Sequence, residues 1–334
     1  MTLAPIDRYL RTIRNKNKGF ALVLVLWILS LLTVMAGSFT LTMRRETSII
    51  SGIKDNAVAA AAAEAGISVA EIMLLHPDQN KRWRSDGNLY QIDFGGTRVR
   101  LRLISESGKF DLNKATLQVL QNLMANAPID DEKLQAKLVG AILDWRDADD
   151  LINLEGAEKD EYRKEGLKYK PRNKPFQTVE ELQMVLGVNE EVYNWLEPKV
   201  TVWSGQNQIN LKLAAKDILR LMPGLDADMI ETYVATRLDN DKNDLPIPEF
   251  PANLLAGGGA GIGNNENITI VSEALMPDET RALITATVVK SGANPSQQFQ
   301  LLKWQRNPGN VESLFTDAMD ELLAKQYAEP ELND

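Results

Sequence analysis

The chain has 334 residues, 46 of them acidic and 37 basic, for a formal net charge of −9. With 44% apolar and 25% charged residues it is no disordered chain, and its length allows two or three ordinary domains. It has no cysteine and a single histidine, His76, which excludes a disulfide scaffold, thiolate or His-rich metal sites, a thiol nucleophile and most histidine-relay chemistry, while the acidic balance argues against a nucleic-acid backbone as partner.

The first nineteen residues are a basic leader, with Arg8, Arg11, Arg14, Lys16 and Lys18 against Asp7 alone. From Phe20 to Met43 there is neither charge nor proline. At about 1.5 Å per residue such a helix crosses the hydrocarbon core of a membrane with length to spare. The basic leader should stay in the cytoplasm and the bulk of the chain should face outward. A plain signal anchor is one interpretation. A cleaved secretory signal fits less well, because the run is too long and lacks an A-x-A-like exit. The alanine-rich, proline-free stretch from Arg44 to Leu75 extends the helix until His76-Pro77 stops it. Ile49, Ile53, Ala60, Ala63, Ile67, Ala70 and Leu74 recur at helical spacing. A continuous helix from Phe20 to Leu75 would be about 84 Å long. His76 is expected as a cap or surface residue.

Asn88–Ser105 reads as two strands. In the second, Val99, Leu101 and Leu103 alternate with Arg98, Arg100 and Arg102, which predicts one buried face and a solvated arginine face. Ile268–Leu275, Ala282–Lys290 and Gln298–Gln305 are further strands, with a turn at Ser291–Pro295. Sheet thus flanks a region that reads as helical almost throughout. The fold class expected is α+β, an antiparallel sheet with a large all-α domain inserted between strands.

That block, 109–264, holds 26 acidic and 18 basic residues and ends in a glycine-rich loop, 256–264. GIGNNEN there lacks the strand and helix of a phosphate-binding fingerprint. Phe110–Leu117 and Gln208–Ala215 each place a polar cap before a helix, and the second leads to the turn Leu221–Leu225. These are similar to the helix-hairpin-helix units of competence and repair proteins. Asp226 and Asp228 beside the turn oppose phosphate, so a scaffold role without DNA binding is expected.

Asp147, Asp149 and Asp150 crowd into four residues after the helix ending near Leu143, followed by Gly156-Ala157-Glu158, Asp160 and Tyr162. Like charges this close repel unless solvated or neutralised. Hard oxygens in a flexible loop suit Ca²⁺, with a solvated acidic loop as the alternative. Asp239–Asp244 begins like an EF-hand loop but has Asp244 where glycine belongs and Phe250 at the bidentate-Glu position, a weak match.

Lys18-Gly19-Phe20, where charge gives way to the apolar run, resembles the class III leader of pilins and pseudopilins. D-W-x-D-x-D-D from Asp144, then G-A-E, a tyrosine and Asn173–Leu182, is similar to the K pseudopilins of type II secretion. The resemblance implies cleavage between Gly19 and Phe20 by a prepilin peptidase, with N-methylation of Phe20. It implies Ca²⁺ on Asp147, Asp149, Asp150, Glu158 and Asp160, although Lys159 and Glu161 depart from the family pattern. Most pilins carry a glutamate at the fifth mature position; Leu24 stands there, as in K pseudopilins. The implied domains are a leader (1–19), a membrane segment (20–43) continuing as the pilin helix to 75, a pilin-like domain (76–108 and 265–310), the inserted helical domain (109–264) and a C-terminal tail (311–334). The implied protein is non-catalytic, sits at the tip of a periplasmic pseudopilus anchored in the inner membrane of a Gram-negative bacterium, and binds the I and J minor pseudopilins and the pseudopilus below, with no nucleic acid. The alternatives are a membrane-anchored DNA receptor of the competence type and a minor pilin of a type IV pilus.

Overall fold

The computed structural model describes residues 18–251, 267–290, 298–309 and 311–327. The leader through Asn17 and the glycine-rich loop 256–264 lie outside the described residues. Two compact units emerge, Met1–Ala57 and Val58–Asp334.

The first helix, α1, runs over Lys18–Leu74. Its part in the first unit carries an eighteen-residue window of mean hydropathy 2.5, none of it buried. Ser30, Thr33 and Thr40 each donate their hydroxyl to the carbonyl four residues back, at 2.8–2.9 Å. That bond lets a hydroxyl survive in an apolar surrounding. The expected apolar stripe starts later than its spacing suggested: Ile49 and Ile53 are exposed, and burial begins at Ala59.

The second unit is built on a six-stranded sheet. Its strands are β1 (Asp86–Phe94), β2 (Thr97–Ser105), β5 (Asn267–Leu275), β6 (Arg281–Lys290), β7 (Phe299–Arg306) and β8 (Leu323–Tyr327), in the spatial order β7-β6-β5-β2-β1-β8. All pairs are antiparallel except β1 with β8. The remaining two strands, β3 (Phe110–Asp111) and β4 (Val200–Thr201), pair in parallel inside the helical region. One face of the large sheet packs on Ala63, Ile67, Ala70 and Leu74 of α1, four residues on one stripe of that helix. The approach is close. A Cβ on Gly66 would lie 2.5 Å from Ser272 Oγ and 2.9 Å from Val99 Cγ1, so only glycine fits there.

Residues 106–266 interrupt the sheet between β2 and β5, which are nevertheless neighbours, Arg98 opposite Leu275 through Ser105 opposite Ile268. The interruption contains α2 (Leu117–Met124), α3 (Glu132–Arg146), α4 (Lys159–Lys164), α5 (Glu190–Leu196), α6 (Lys216–Leu219) and α7 (Ala227–Lys242). Thr116, Asp131, Asn189 and Asp226 cap four of them through side-chain acceptors. They enclose a core of their own, centred on Trp145, Tyr162, Phe176 and Leu182, separate from the α1–sheet core.

A buried polar network ties this helical block to the sheet. Arg237 of α7 pairs with Asp86 at 3.3 Å, and Arg84 with Asp241 at 3.5 Å, all four almost fully buried. Arg237 also donates to the carbonyls of Ala214 and Asp86, each at 2.8 Å. Asn88 and Tyr90 donate to Asp241 at 3.0 and 2.7 Å. Burial pushes the Asp86 carboxyl up, and the Arg237 charge opposes that shift. Asp241 is therefore committed to the fold, and the EF-hand-like run Asp239–Asp244 largely belongs to α7.

Two expectations are overturned on the sheet's other face. Arg100 is 7% exposed rather than solvated. It donates to Gln91 Oε1 at 2.9 Å and to the Leu314 carbonyl at 2.8 Å, pairs with Asp320 at 2.6 Å, and stacks 4.6 Å from the Phe315 ring centroid. Arg102 is half-buried, and burial lowers its pKa. The cause is the chain after β7, expected as a tail. It folds back over the arginine face, buries Leu314 against Leu89 and Val271, forms the short helix α8 (Asp317–Asp320), and ends as β8 beside β1.

Candidate functional site

The acidic loop joins α3 to α4. Asp144, in the last turn of α3, is fully buried. Its Oδ1 accepts from the Asn153 backbone N–H at 3.0 Å and from Asn153 Nδ2 at 2.5 Å; its Oδ2 accepts from the Ala157 N–H at 2.6 Å. Asp144 thus folds the loop back onto its own helix. Two glycines permit the contact. A Cβ on Gly156 would sit 2.0 Å from Asp144 Oδ2, and one on Gly140 would sit 2.6 Å from the Gly156 nitrogen.

Asp147 caps α3, and its Oδ2 accepts from Asn153 Nδ2 at 3.0 Å. Its Oδ1 is buried without a hydrogen-bond partner, as are both carboxylate oxygens of Glu158 and Oδ1 of Asn173. Burial, then the charges of Asp144, Asp147 and Asp150, push the Glu158 carboxyl up to about 7. Burial, Asp144 and Asp149 also raise Asp147. Unpaired buried oxygens whose carboxyls resist ionisation mark a place where positive charge is missing.

The other predicted ligands are placed differently. Asp149 Oδ1 accepts from the Leu151 N–H at 2.9 Å, a local turn. Asp150 is exposed, 3.7 Å from Lys170, and accepts from Asn173 Nδ2 at 2.9 Å. Asp160 is exposed and paired with Arg163 at 3.1 Å. Among the described residues no three acidic or histidine groups are gathered into a finished metal site. Asp147 and Glu158 are brought together with Asp144, and Asp150 lies within electrostatic reach. Asn173 holds the far side, in a left-handed backbone conformation (φ 52°), and donates to the Asp149 carbonyl at 2.5 Å. Spacing alone did not point to Asn173, which lies beyond α4 in the chain.

The hairpin between α6 and α7 offers no free cations to a phosphate. Lys216 and Arg220 are both engaged by Glu231, at 2.6 and 2.7 Å. At the other end of the chain, Phe20 and Leu24 are exposed on the first turns of α1, and Gly19 lies in the same helix.

Residues 97–205 match the family model described as type II secretion system protein K. The type II secretion system protein K of Pseudomonas aeruginosa is 27% identical over 249 residues, covering 67% of this chain and 73% of that protein. Its counterpart from Klebsiella pneumoniae is 26% identical over 234 residues, covering 63% and 71%. A chain in the crystal structure of the GspK-GspI-GspJ complex from enterotoxigenic Escherichia coli superposes with a TM-score of 0.53 at 16% identity, covering 79% of this chain and 99% of that one. The matched region, 97–205, contains the whole acidic loop.

Proposed function

We propose that this chain, which belongs to the type II secretion system protein K family, is a non-catalytic minor pseudopilin that caps the pseudopilus tip and helps initiate its assembly. The observation that carries this is the joining of two features: a membrane-length apolar helix, α1, whose later turns pack on an antiparallel sheet, and a family match over 97–205 that begins in strand β2 of that sheet and runs into the inserted block. After cleavage at Gly19, Phe20 would become the N-terminus and Leu24 the fifth residue. The usual pilin glutamate would there pair with the terminal amine of the subunit already ahead in the filament. An unpaired charge within a membrane is costly, so a leucine suits a subunit with nothing ahead of it. The large inserted block would also obstruct a subunit stacked above.

The partners proposed are the I and J minor pseudopilins, by analogy with the complex from which the structural neighbour comes. The chain would be held in the inner membrane by α1 with its bulk in the periplasm, consistent with the basic leader. Ca²⁺ is proposed as a structural ion of the acidic loop. Asp147 and Glu158 would hold it, with Asp150 and the side-chain Oδ1 of Asn173 beside them, because these are hard oxygens and several are left buried and unpaired. Asp149 and Asp160 would join only if their present turn and ion pair opened.

The experiment is co-expression of the mature chain with candidate I and J subunits, followed by purification on a tag carried by this chain. A stoichiometric three-subunit complex is expected. Recovery of this chain alone from cells that make both partners would overturn the assignment.

A further inference from the structure

The C-terminal end of α1 borders an open groove of about 690 Å³ on the sheet side of the second unit. Its floor is largely apolar. Trp83 stacks flat on Tyr90 at 4.4 Å and donates its indole N–H to the Tyr327 hydroxyl at 3.3 Å, while Ile72 and Met73 form the helix wall. Ile72 is half exposed, so this wall is uncovered in the monomer. The other wall is β8, the last strand of the sheet, whose outer side has no strand partner among the described residues.

The rim has the opposite charge to the protein. Lys81, Lys242 and Lys325 border the groove against a single carboxylate, Asp244, in a chain whose net charge is −9. Asp244 is already paired with Lys325. Lys81 and Lys242 are exposed and form no ion pair among the described residues. His76, the only histidine, also lines the groove. Its Nδ1 lies 3.1 Å from the backbone nitrogen and 3.2 Å from the carbonyl oxygen of Asp78, a local contact that fixes the ring at the groove's edge.

We propose that this groove binds an extended peptide segment of a partner protein in which apolar and acidic side chains alternate. Apolar side chains would cover Ile72 and Met73, above the buried Trp83, and carboxylates would meet Lys81 and Lys242. An uncovered strand edge beside an apolar floor is the arrangement by which a sheet accepts an added peptide strand. A bilayer is the weaker candidate, because it offers no backbone groups to pair with the edge of β8.

The test uses the full mature chain in phosphatidylcholine nanodiscs and a fluorescein-labelled peptide alternating leucine and glutamate, read by anisotropy. Its counterpart alternating leucine and lysine is the control. The acidic peptide should bind at least about tenfold more tightly, and less so as salt is raised. Lys81→Glu with Lys242→Glu, both at exposed positions, should reverse the preference. Ile72→Gln should weaken both peptides without lowering the melting temperature. Equal binding of the two peptides, or acidic-peptide binding indifferent to the lysine reversal, would overturn the proposal. So would lysine-dependent binding of phosphatidylglycerol vesicles without peptide binding. Co-purification with minor pseudopilins is a separate readout and can succeed or fail independently.

Discussion

The hydroxyl of Tyr90, on the second-to-last strand of the sheet, donates a 2.7 Å hydrogen bond to Asp241 at the end of α7, joining residues 151 positions apart. Around that bond four buried charges neutralise one another in pairs and fasten the inserted block to the sheet. Desolvating such a network is expensive, so its contribution to net stability is small, but removing one member strands the rest.

Asp241→Ala should therefore destabilise the second unit by about 3–5 kcal/mol, because Arg84 is left as a buried, uncompensated charge. The combined change Arg84→Met and Asp241→Leu should cost much less. Urea unfolding of the two variants checks this. Equal losses would show that packing, not the stranded charge, sets the cost.

Gly156→Ala should destabilise the loop by about 1–3 kcal/mol, since the new methyl group would overlap Asp144 and force it off the Asn153 and Ala157 donors. Gly166→Ala is the control for strain without a clash, since its φ is +76° but nothing lies near its Cβ position. Thermal melts should show the larger loss at Gly156, and weaker Ca²⁺ binding there alone.

Glu158 gives the loop a pH dependence with a definite sign. Its folded-state pKa, about 7, lies above the ordinary glutamate value, so between the two the folded chain holds a proton that the unfolded chain has released. Without Ca²⁺, stability should fall as the pH rises from about 4.5 to about 7. A bound cation favours the carboxylate, so saturating Ca²⁺ should remove that slope. Glu158→Gln should stabilise the metal-free chain near neutral pH and lose the Ca²⁺-induced rise in melting temperature. Identical melts with Ca²⁺ and with chelator across this pH range would leave the loop as uncompensated acid.

Cleavage is expected between Gly19 and Phe20, and mass spectrometry of the chain from cells with an active prepilin peptidase should find N-methyl-phenylalanine at its start. A terminus still at Met1 would contradict that. Gly19→Leu should leave the uncut precursor anchored in the membrane and outside any filament.

Much of this fold was legible because its signals are local. The uncharged run from Phe20 sets α1, and the alternation in Thr97–Ser105 and the β-branched run Ile268–Val271 mark two adjacent strands with the helical block between them. What escaped depends on distant partners. Leu323–Tyr327 has no clear alternation, and it becomes a strand by pairing in parallel with β1. Arg100 looked solvated because nothing nearby in sequence reveals that Leu314, Phe315 and Asp320 return to cover it. In the acidic loop the clustering of Asp147, Asp149 and Asp150 was plain, but their division of labour was not. Asp144 organises the backbone, Asp147 and Glu158 keep unpaired oxygens, and Asp160 turns to Arg163.

Leu24→Glu should not turn this chain into a repeating filament subunit, because the inserted block would still obstruct the position above. Pseudopilus length and abundance in cells carrying the variant should match the wild type or be reduced. Longer filaments containing this chain throughout would mean that Leu24 alone restricts it.

The tip assignment is tested most directly by immunogold labelling of overexpressed pseudopili with an antibody to the inserted helical block. Gold at one end of each filament is the predicted result. Gold distributed along the shaft would contradict it.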